Sequence, residues 1–252
     1  MRNFRLGRRT APAVALVLLA GLAGLASASQ YSLSLTRVHL SSARAVETVV
    51  LGNQEQVPLE LEVQVQRWQQ ADDGKWTFGP GDGLVVHPLI LRVPPGGEAR
   101  VRIGSLSPGV KDETAYRVEF RELPDRKGPQ AGVVRMLTRV NIPVFVQPKD
   151  AQARLAMTVD ALDDKGAQLT FRNAGTGYAA PADATLTVRD GAGRALHESQ
   201  VTLGYVLAGA QWHLLAAVPV ADCARAASID VRVGQAPPMS ASIAPGSRRC
   251  SR

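Results

Sequence analysis

An alternating segment near the middle of the chain constrains the fold most strongly. Within residues 133–146, every second side chain is aliphatic or small, and this period of two predicts a β-strand with one apolar face. The side chains of that face are Val134, Met136, Thr138, Val140 and Ile142. Apolar strands at a sheet edge are normally protected in soluble proteins. The segment is therefore either an interior strand of a sandwich or an edge that is offered to another chain.

The first 28 residues predict a secretory signal peptide. Four arginines lie within the first nine residues, an apolar run follows from Ala11 to about Leu25, and Ala26-Ser27-Ala28 precedes a cleavage point before Ser29. The apolar run is shorter than the roughly 20 residues of a membrane span, and no later segment is apolar for long enough. We therefore expect a mature protein without a membrane span, located outside the cytoplasm.

The charge pattern argues against nucleic acid as a partner. Removing the leader lowers the formal net charge from +7 to +3. The basic residues are scattered singly among the predicted strands, whereas a nucleic-acid reader clusters them on one face with aromatic residues between them.

The length and the turn residues predict two domains. About 224 residues follow the leader, enough for two units of about 100 residues each. The boundary is predicted at Gln147-Pro148-Lys149-Asp150, which gives a signal peptide over 1–28, an N-terminal domain over 29–148 and a C-terminal domain over 149–252.

Short alternating runs separated by Gly, Pro and Asp turns predict antiparallel strands throughout both domains. In the first domain they are expected at 31–40, 46–52, 59–66, 84–92, 99–104 and 114–121, ahead of the central segment. In the second they are expected near 153–160, 167–173, 184–190, 196–203, 211–219, 228–233 and 239–243. No helical periodicity longer than a turn or two occurs outside the leader, so the pattern predicts two antiparallel sandwiches of Ig-like size.

Two cysteines, Cys223 and Cys250, occur near the end of the chain. A single disulfide is the simplest expectation in an exported protein, and it would contribute roughly 3 to 4 kcal/mol by restricting the unfolded chain. Two free thiols or a metal-binding pair are the alternatives, although no His or further Cys lies close enough in sequence to complete a ligand set.

No residue pattern of an enzyme is present. The four histidines are far apart, no GxSxG motif occurs, and the glycine-rich turns lack the Lys and Ser or Thr of a phosphate loop. The tryptophans could stack on sugars, but isolated tryptophans in β proteins are more often core or rim residues. We expect no catalytic residues, no metal and no cofactor.

Several segments of the first domain resemble the PapD-like periplasmic chaperones that assemble pili and fimbriae. The matching segments are LTRVHL (35–40), NQEQVPLELEVQVQRW (53–68), HPLILRVPPGGEARVRIG (87–104), ETAYRVEFRELP (113–124) and VVRMLTRVNIPVFVQP (133–148). The IPVF run is similar to the alternative, or archaic, chaperone–usher branch. The second domain matches more weakly, mainly at QLTFRNAG (168–175) and in the Cys-bearing tail.

The resemblance implies an all-β fold of two Ig-like antiparallel β-sandwich domains in a boomerang arrangement, located in the periplasm. It also implies that the 133–146 strand completes the sandwich of a fimbrial or pilus subunit that lacks its last strand, with Val134, Met136, Thr138, Val140 and Ile142 as its donor face. The expected partners are these subunits and an outer-membrane usher. Whether the free protein masks its edge by self-association is left open.

In the family, two basic side chains anchor the C-terminal carboxylate of the subunit. Arg37 in LTRVHL matches the first, but Pro143 stands where the second, a lysine, is expected. Arg117 is the candidate replacement, because a hairpin centred near Gly128 would place it opposite about residue 140. Either arginine could instead be a solvated strand residue. Glu113 matches an acidic residue that couples the domains, but Gln147 stands where its arginine partner is expected, so that ion pair is not implied.

Two other classes of function remain open on the sequence alone. A structural subunit or adhesin could be built from the same sandwiches, although Ser29 to Ser34 is too short for the donor extension of a pilin. A secreted hydrolase or metal-binding module would need a constellation of residues that the sequence does not show.

Overall fold

The computed structural model describes residues 31–124 and 136–251, which form two β-sandwich domains. The expected all-β fold is confirmed. The predicted leader and Val134 lie outside the described residues. The strands of the N-terminal domain are β1 (Tyr31–Leu33), β2 (Val38–Leu40), β3 (Val46–Asn53), β4 (Leu59–Gln70), β5 (Trp76–Pro80), β6 (Leu84–His87), β7 (Ile90–Val93), β8 (Glu98–Ser105), β9 (Thr114–Glu122) and β10 (Arg139–Val146).

The N-terminal sandwich is built from two sheets whose apolar faces meet. One has the strand order β1-β3-β8-β6, and the other has the order β2-β10-β9-β4-β5, with β7 also paired to β4. The alternation in β4 places Leu59, Leu61 and Val63 in the core and leaves the intervening Glu and Gln side chains partly exposed. Phe120 and Ile103 are fully buried between the sheets.

Two segments that were predicted as single strands are each divided between the sheets. The segment 31–40 forms β1 in one sheet and β2 in the other, and the segment 84–92 forms β6 and β7 in the same way. A sandwich corner requires the chain to bend from one sheet into the other, and the alternation of side chains alone does not reveal such a bend. The prediction of one continuous strand was therefore wrong at both places.

The elements of the C-terminal domain are β11 (Leu155–Asp163), β12 (Gly166–Asn173), β13 (Ala182–Asp190), β14 (Ala195–Leu203), β15 (Gln211–Ala216), α1 (Val220–Cys223), β16 (Ala226–Val233), β17 (Met239–Ser242), a 3₁₀ turn (Pro245–Ser247) and β18 (Arg248–Arg249). The strands form a second sandwich of two sheets, with the orders β15-β12-β11-β18 and β14-β13-β16-β17. Phe171, Leu186 and Ile229 are fully buried between the two sheets.

A disulfide joins Cys223, at the end of α1, to Cys250, just after β18, with their Cα atoms 5.8 Å apart. It ties the C-terminal segment to the buried side of α1, where Cys223 is fully inaccessible. The described part of the chain contains no helix with the length and hydropathy that crossing a bilayer requires.

Strand β10 has one side that is only partly paired. It pairs antiparallel with β9 along its whole length, but on its other side it pairs with β2 only over Val144–Val146. Among the described strands, none pairs with Arg139–Pro143 on that side. Pro143 also lacks an N–H group, and proline within a sheet is largely confined to edges and bulges. The N-terminal half of β10 is thus an open sheet edge.

Candidate functional site

A row of side chains crosses the face of the β2-β10-β9-β4-β5 sheet that meets the C-terminal domain. Residues directly opposite each other on paired strands point to the same face. The register aligns His39, Phe145, Ala115, Trp68 and Phe78 in this row. Phe145 and Trp68 are at most 1% exposed and pack against Leu207, Tyr178 and Tyr205 of the C-terminal domain. An aromatic cluster therefore joins the two domains beside the open edge.

Arg117 lies on β9, next to this row. Its Cζ atom is 3.9 Å from the centroid of the Trp68 ring and 5.4 Å from that of Trp76, within the range of a cation–π interaction. Burial lowers the pKa of Arg117, but a guanidinium group keeps its charge at physiological pH.

The register of Arg117 differs from the expected one. Arg117 is opposite Pro143 and not about residue 140. The expected register was wrong because it assumed a turn near Gly128, whereas the pairing is set by core packing, in which Val118 lies opposite Ile142. The observed register places Arg117 beside Pro143, the position at which the resemblance implies a lysine.

Arg37 lies just before β2 and contacts two tyrosines of the C-terminal domain. Its Nη2 atom donates a hydrogen bond of 3.0 Å to the Tyr205 hydroxyl, and its Cζ atom lies 5.5 Å from the Tyr178 ring centroid. Burial tends to lower the pKa of Arg37, but the two phenol groups outweigh it, so the net shift is upward. The guanidinium therefore stays charged.

The structure brings the two predicted anchor residues together around one side chain. The Cζ atoms of Arg37 and Arg117 each lie 5.7 Å from the centroid of the Tyr205 ring. Among the described residues, neither guanidinium has an ion-pair partner. Two cations that flank one ring without a carboxylate form a site that favours an anion.

Asn173 positions both tyrosines. Its side chain is fully buried at the end of β12 and donates hydrogen bonds to the carbonyls of Gly177, at 2.8 Å, and Val206, at 3.0 Å. These residues adjoin Tyr178 and Tyr205, respectively. The Oδ1 atom of Asn173 accepts bonds of 2.9 Å from the N–H groups of Arg154 and Gly175. One side chain thus holds together the loops that carry the two phenol groups.

Gln70, at the end of β4, fixes the Tyr205 loop to the N-terminal domain. Its Nε2 atom donates to the carbonyl of Tyr205, and its Oε1 atom accepts from the N–H of Leu207, both at 2.8 Å. Both ends of one amide are satisfied by backbone from the other domain. The position of Tyr205 relative to Arg37 and Arg117 is therefore set by contacts between the domains.

Glu113 occupies the junction between the domains with a neutral partner. Its Oε2 atom accepts hydrogen bonds from Gln147 Nε2, at 2.6 Å, and from the N–H of Tyr178, at 3.1 Å. Its Oε1 atom is buried and has no partner among the described residues. Burial raises the pKa of Glu113 to about 7, and the two hydrogen bonds only partly oppose that shift. Glu113 and Gln147 are therefore joined by a hydrogen bond and not by an ion pair.

The expected donor residues differ in how deeply each side chain is buried within this protein. Met136 is 52% exposed, whereas Ile142 is only 2% exposed and lies in the core of its own domain. Val140 is half-buried against that core, and Thr138 is held by backbone hydrogen bonds to Glu122. Ile142 is thus a correction to the expected donor face, because a side chain that fills its own core cannot enter a second groove.

The sequence analysis did not single out Tyr178, Tyr205 or Gln70. Each lies at or beyond the end of a strand, where a period-two pattern carries no information. The tyrosines follow glycines in turns, at Gly177 and Gly204, which is only a weak signal. Trp68 was expected to be a core or rim residue, and it is buried, but its role as the platform under Arg117 depends on the pairing of β4 with β9.

The comparisons with known proteins agree with this architecture. Residues 30–152 match the family described as pili and flagellar-assembly chaperone, PapD N-terminal domain. The N-terminal domain belongs to the PapD-like chaperone family. The resemblance inferred from the sequence segments is thereby confirmed. No curated protein matches the chain in sequence.

Solved structures of a fimbrial chaperone and of two chaperone complexes share the fold over most of this chain. The class 5 fimbriae chaperone CfaA has 11% sequence identity and a TM-score of 0.59, covering 86% of this chain and 100% of its own. A chain of the CsuC–CsuE complex of chaperone and tip adhesion subunit, from the archaic Csu pili of Acinetobacter baumannii, has 16% identity and a TM-score of 0.57, covering 84% and 98%. A chain of the Salmonella enterica complex of the SafA pilin with the SafB chaperone has 17% identity and a TM-score of 0.54, covering 86% and 98%.

We predict that Asn173→Ala lowers the free energy of unfolding by about 3 kcal/mol, since it leaves several buried backbone groups without partners. Chemical denaturation followed by tryptophan fluorescence measures this. Asn141→Ala is the control, because Asn141 is exposed on β10 and its removal should change stability by less than about 0.5 kcal/mol. Equal effects of the two substitutions would contradict the role given to Asn173.

We also predict that the stability of the protein depends on pH through Glu113. Because its pKa is raised in the folded state, folding favours the protonated carboxyl, so the stability is fully present below about pH 4.5 and is lost as the pH rises towards about 7. The slope is at most about 1.4 kcal/mol per pH unit.

Glu113→Gln should flatten the dependence between pH 4.5 and 7, as measured by denaturation at half-unit steps of pH. Glu98→Gln, which changes an exposed glutamate on β8, should keep the slope of the unchanged protein. A slope that survives in Glu113→Gln would show that another group is responsible.

Proposed function

We propose that this protein is a periplasmic chaperone that binds fimbrial or pilus subunits by pairing the edge of β10 with their incomplete sheets. It then delivers the subunits to an outer-membrane usher. The single observation that carries the proposal is the edge at Arg139–Pro143, left open by the described strands, beside two arginines that have no acidic partner among the described residues. The open edge would pair with a strand of the subunit, and the two arginines would bind the C-terminus of the subunit. Membership of the N-terminal domain in the PapD family, and the shared fold of chaperones solved with their subunits, support it.

Strand addition explains why the edge is left open. A subunit that lacks its last strand exposes backbone groups and an apolar groove, and a donated strand satisfies both. Each aliphatic side chain that enters the groove contributes roughly 1.5 to 3 kcal/mol before the cost of association is subtracted. Burial of Ile142 in the chaperone's own core limits the donor face to Val134, Met136, Thr138 and Val140.

The two arginines would fix the register of the added strand. The C-terminal carboxylate of the subunit would lie between Arg37 and Arg117, and a charge-assisted contact there stops the strand from sliding along β10. Pro143 removes the lysine that the family uses, and Arg117 on the neighbouring strand supplies the missing charge directly opposite it. The Trp68 ring packs against the guanidinium of Arg117, so the cation is held in place without an acidic side chain.

Delivery to the usher needs a surface that stays exposed while a subunit occupies the β10 edge. Leu89 is 55% exposed and Ile90 is 56% exposed, and they lie beside β4 at the opposite end of the same sheet. Exposed apolar side chains in one patch commonly mark a site of protein–protein contact. We therefore assign the usher contact to this patch.

Met136→Asp should leave the protein folded and reduce the recovery of a co-expressed fimbrial subunit at least about tenfold, because a charge would enter the subunit's groove. Affinity purification followed by mass spectrometry measures the recovery, and thermal unfolding checks the fold. Leu137→Asp is the matched control, since Leu137 is 47% exposed and adjacent to Met136 but does not belong to the period-two set of expected donor residues. If Leu137→Asp impaired recovery as strongly as Met136→Asp, the donor face would be wrongly assigned.

Arg117→Gln should reduce subunit recovery at least about tenfold, which corresponds to the loss of one charge-assisted contact. The same reduction is expected for Arg37→Gln. The control is Arg102→Gln, because Arg102 is exposed on β8 in the other sheet and should not affect recovery. Normal recovery with both Arg37→Gln and Arg117→Gln would reject the carboxylate anchor.

A further inference from the structure

Tyr205 is the side chain of the C-terminal domain that lies between the two proposed anchor residues. Its hydroxyl is 3.0 Å from Arg37 Nη2, and its ring centroid is equally far, 5.7 Å, from the Cζ atoms of Arg37 and Arg117. The ring also packs edge-on against Trp68, with 5.1 Å between the ring centroids. Tyr205 thus belongs to the same cluster as the cations, although it comes from the other domain.

The hydrogen bond to Arg37 leaves the phenol proton of Tyr205 unused. A guanidinium group can only donate, so the Tyr205 oxygen must be the acceptor in this bond. A phenol hydroxyl also carries one proton of its own to donate. Among the described residues, no side chain or carbonyl accepts that proton. The hydroxyl is therefore an available donor beside Arg37, on a ring that both guanidinium groups approach.

We propose that Tyr205 is a third donor to the carboxylate that Arg37 and Arg117 bind. This inference rests on the proposed function, since the carboxylate is that of a subunit's C-terminus. A carboxylate offers about four lone-pair sites, so two guanidinium groups and one hydroxyl can bind it together. The bond from Arg37 to the phenol oxygen polarises the hydroxyl and strengthens its donation to an anion.

The position of Tyr205 makes the carboxylate site a property of both domains. Arg37 and Arg117 come from the N-terminal domain, whereas Tyr205 reaches them from a loop that Asn173 and Gln70 hold. A subunit that binds there is held by the two domains at once. The C-terminal domain thereby contributes directly to ligand binding.

Tyr178 provides a matched comparison. It contacts Arg37 as well, but its hydroxyl lies 3.0 Å from Nε2 of His39 and so already has a second partner within the protein. Burial and the nearby charge of Arg37 lower the pKa of His39, which keeps that ring neutral near pH 7. Removing the Tyr178 hydroxyl should therefore affect the protein's internal contacts and leave the binding of an external carboxylate almost unchanged.

The test uses the mature chain and N-acetyl-alanyl-alanine, which ends in a free carboxylate, in an NMR titration. Tyr205→Phe keeps the ring and removes only the hydroxyl. It should weaken binding at least about fivefold, whereas Tyr178→Phe should stay within about twofold of the unchanged protein. The C-terminal amide of the same dipeptide should not bind measurably. Thermal unfolding of both variants checks that the fold is retained.

A second measurement does not depend on any variant. With ¹³Cζ-labelled tyrosine, the Cζ chemical shift of Tyr205 should change when N-acetyl-alanyl-alanine is added, because the hydroxyl then donates a hydrogen bond to the carboxylate. The amide should leave it unchanged. A role limited to packing would not produce this shift.

The outcomes separate this inference from the proposed function. If the unchanged protein and Tyr205→Phe bind the free carboxylate equally well, and the Tyr205 Cζ signal does not respond, the third donor is overturned while the arginine anchor stands. If the unchanged protein does not distinguish carboxylate from amide, the anchor and the third donor are both overturned. Strand donation is tested separately by the recovery of subunits with Met136→Asp.

Discussion

The packing of Trp68 and Phe145 against Leu207, Tyr178 and Tyr205 is the interaction on which the other features of the site depend. It buries aromatic surface between the two domains and so fixes their relative position. Because Trp68 is held there, Arg117 has a platform, and because Tyr205 is held there, Arg37 has a hydrogen-bond partner. The cations are ordered by aromatic contacts and neutral groups, which leaves their charge available to a ligand.

The junction around Glu113 is likewise held without an ion pair to that carboxylate. An arginine at position 147 would neutralise this carboxylate, but Gln147 offers only a neutral hydrogen bond, and burial then favours the protonated acid. The domains are joined there by hydrogen bonds and not by an ion pair. Among the described residues, Arg37 and Arg117 also have no ion-pair partner, although both lie at this junction.

Pro143 occupies the position at which the resemblance to the chaperone family implies a lysine. Pro143 suits an open edge, where the missing N–H group costs no ladder hydrogen bond. Arg117 faces it across the β9–β10 pair and projects a cation onto the same face of the sheet. The proposed carboxylate anchor therefore has its second positive charge on β9, opposite Pro143.

Period-two alternation, turn residues and the matching segments were sufficient to predict the all-β fold, because burying one face of a strand requires an apolar residue at every second position. They also identified Arg37 and Arg117 as candidate anchor residues and the central strand as the candidate donor. They did not predict the bends that divide 31–40 and 84–92 between sheets, the burial of Ile142, or the register of Arg117. The contact between Tyr205 and Arg37 could not be predicted from these patterns, because 168 residues separate the two. Local patterns determine which face of a strand is apolar, but only the packing of the sheets and domains decides which side chains meet, because those contacts join residues that are distant in the chain.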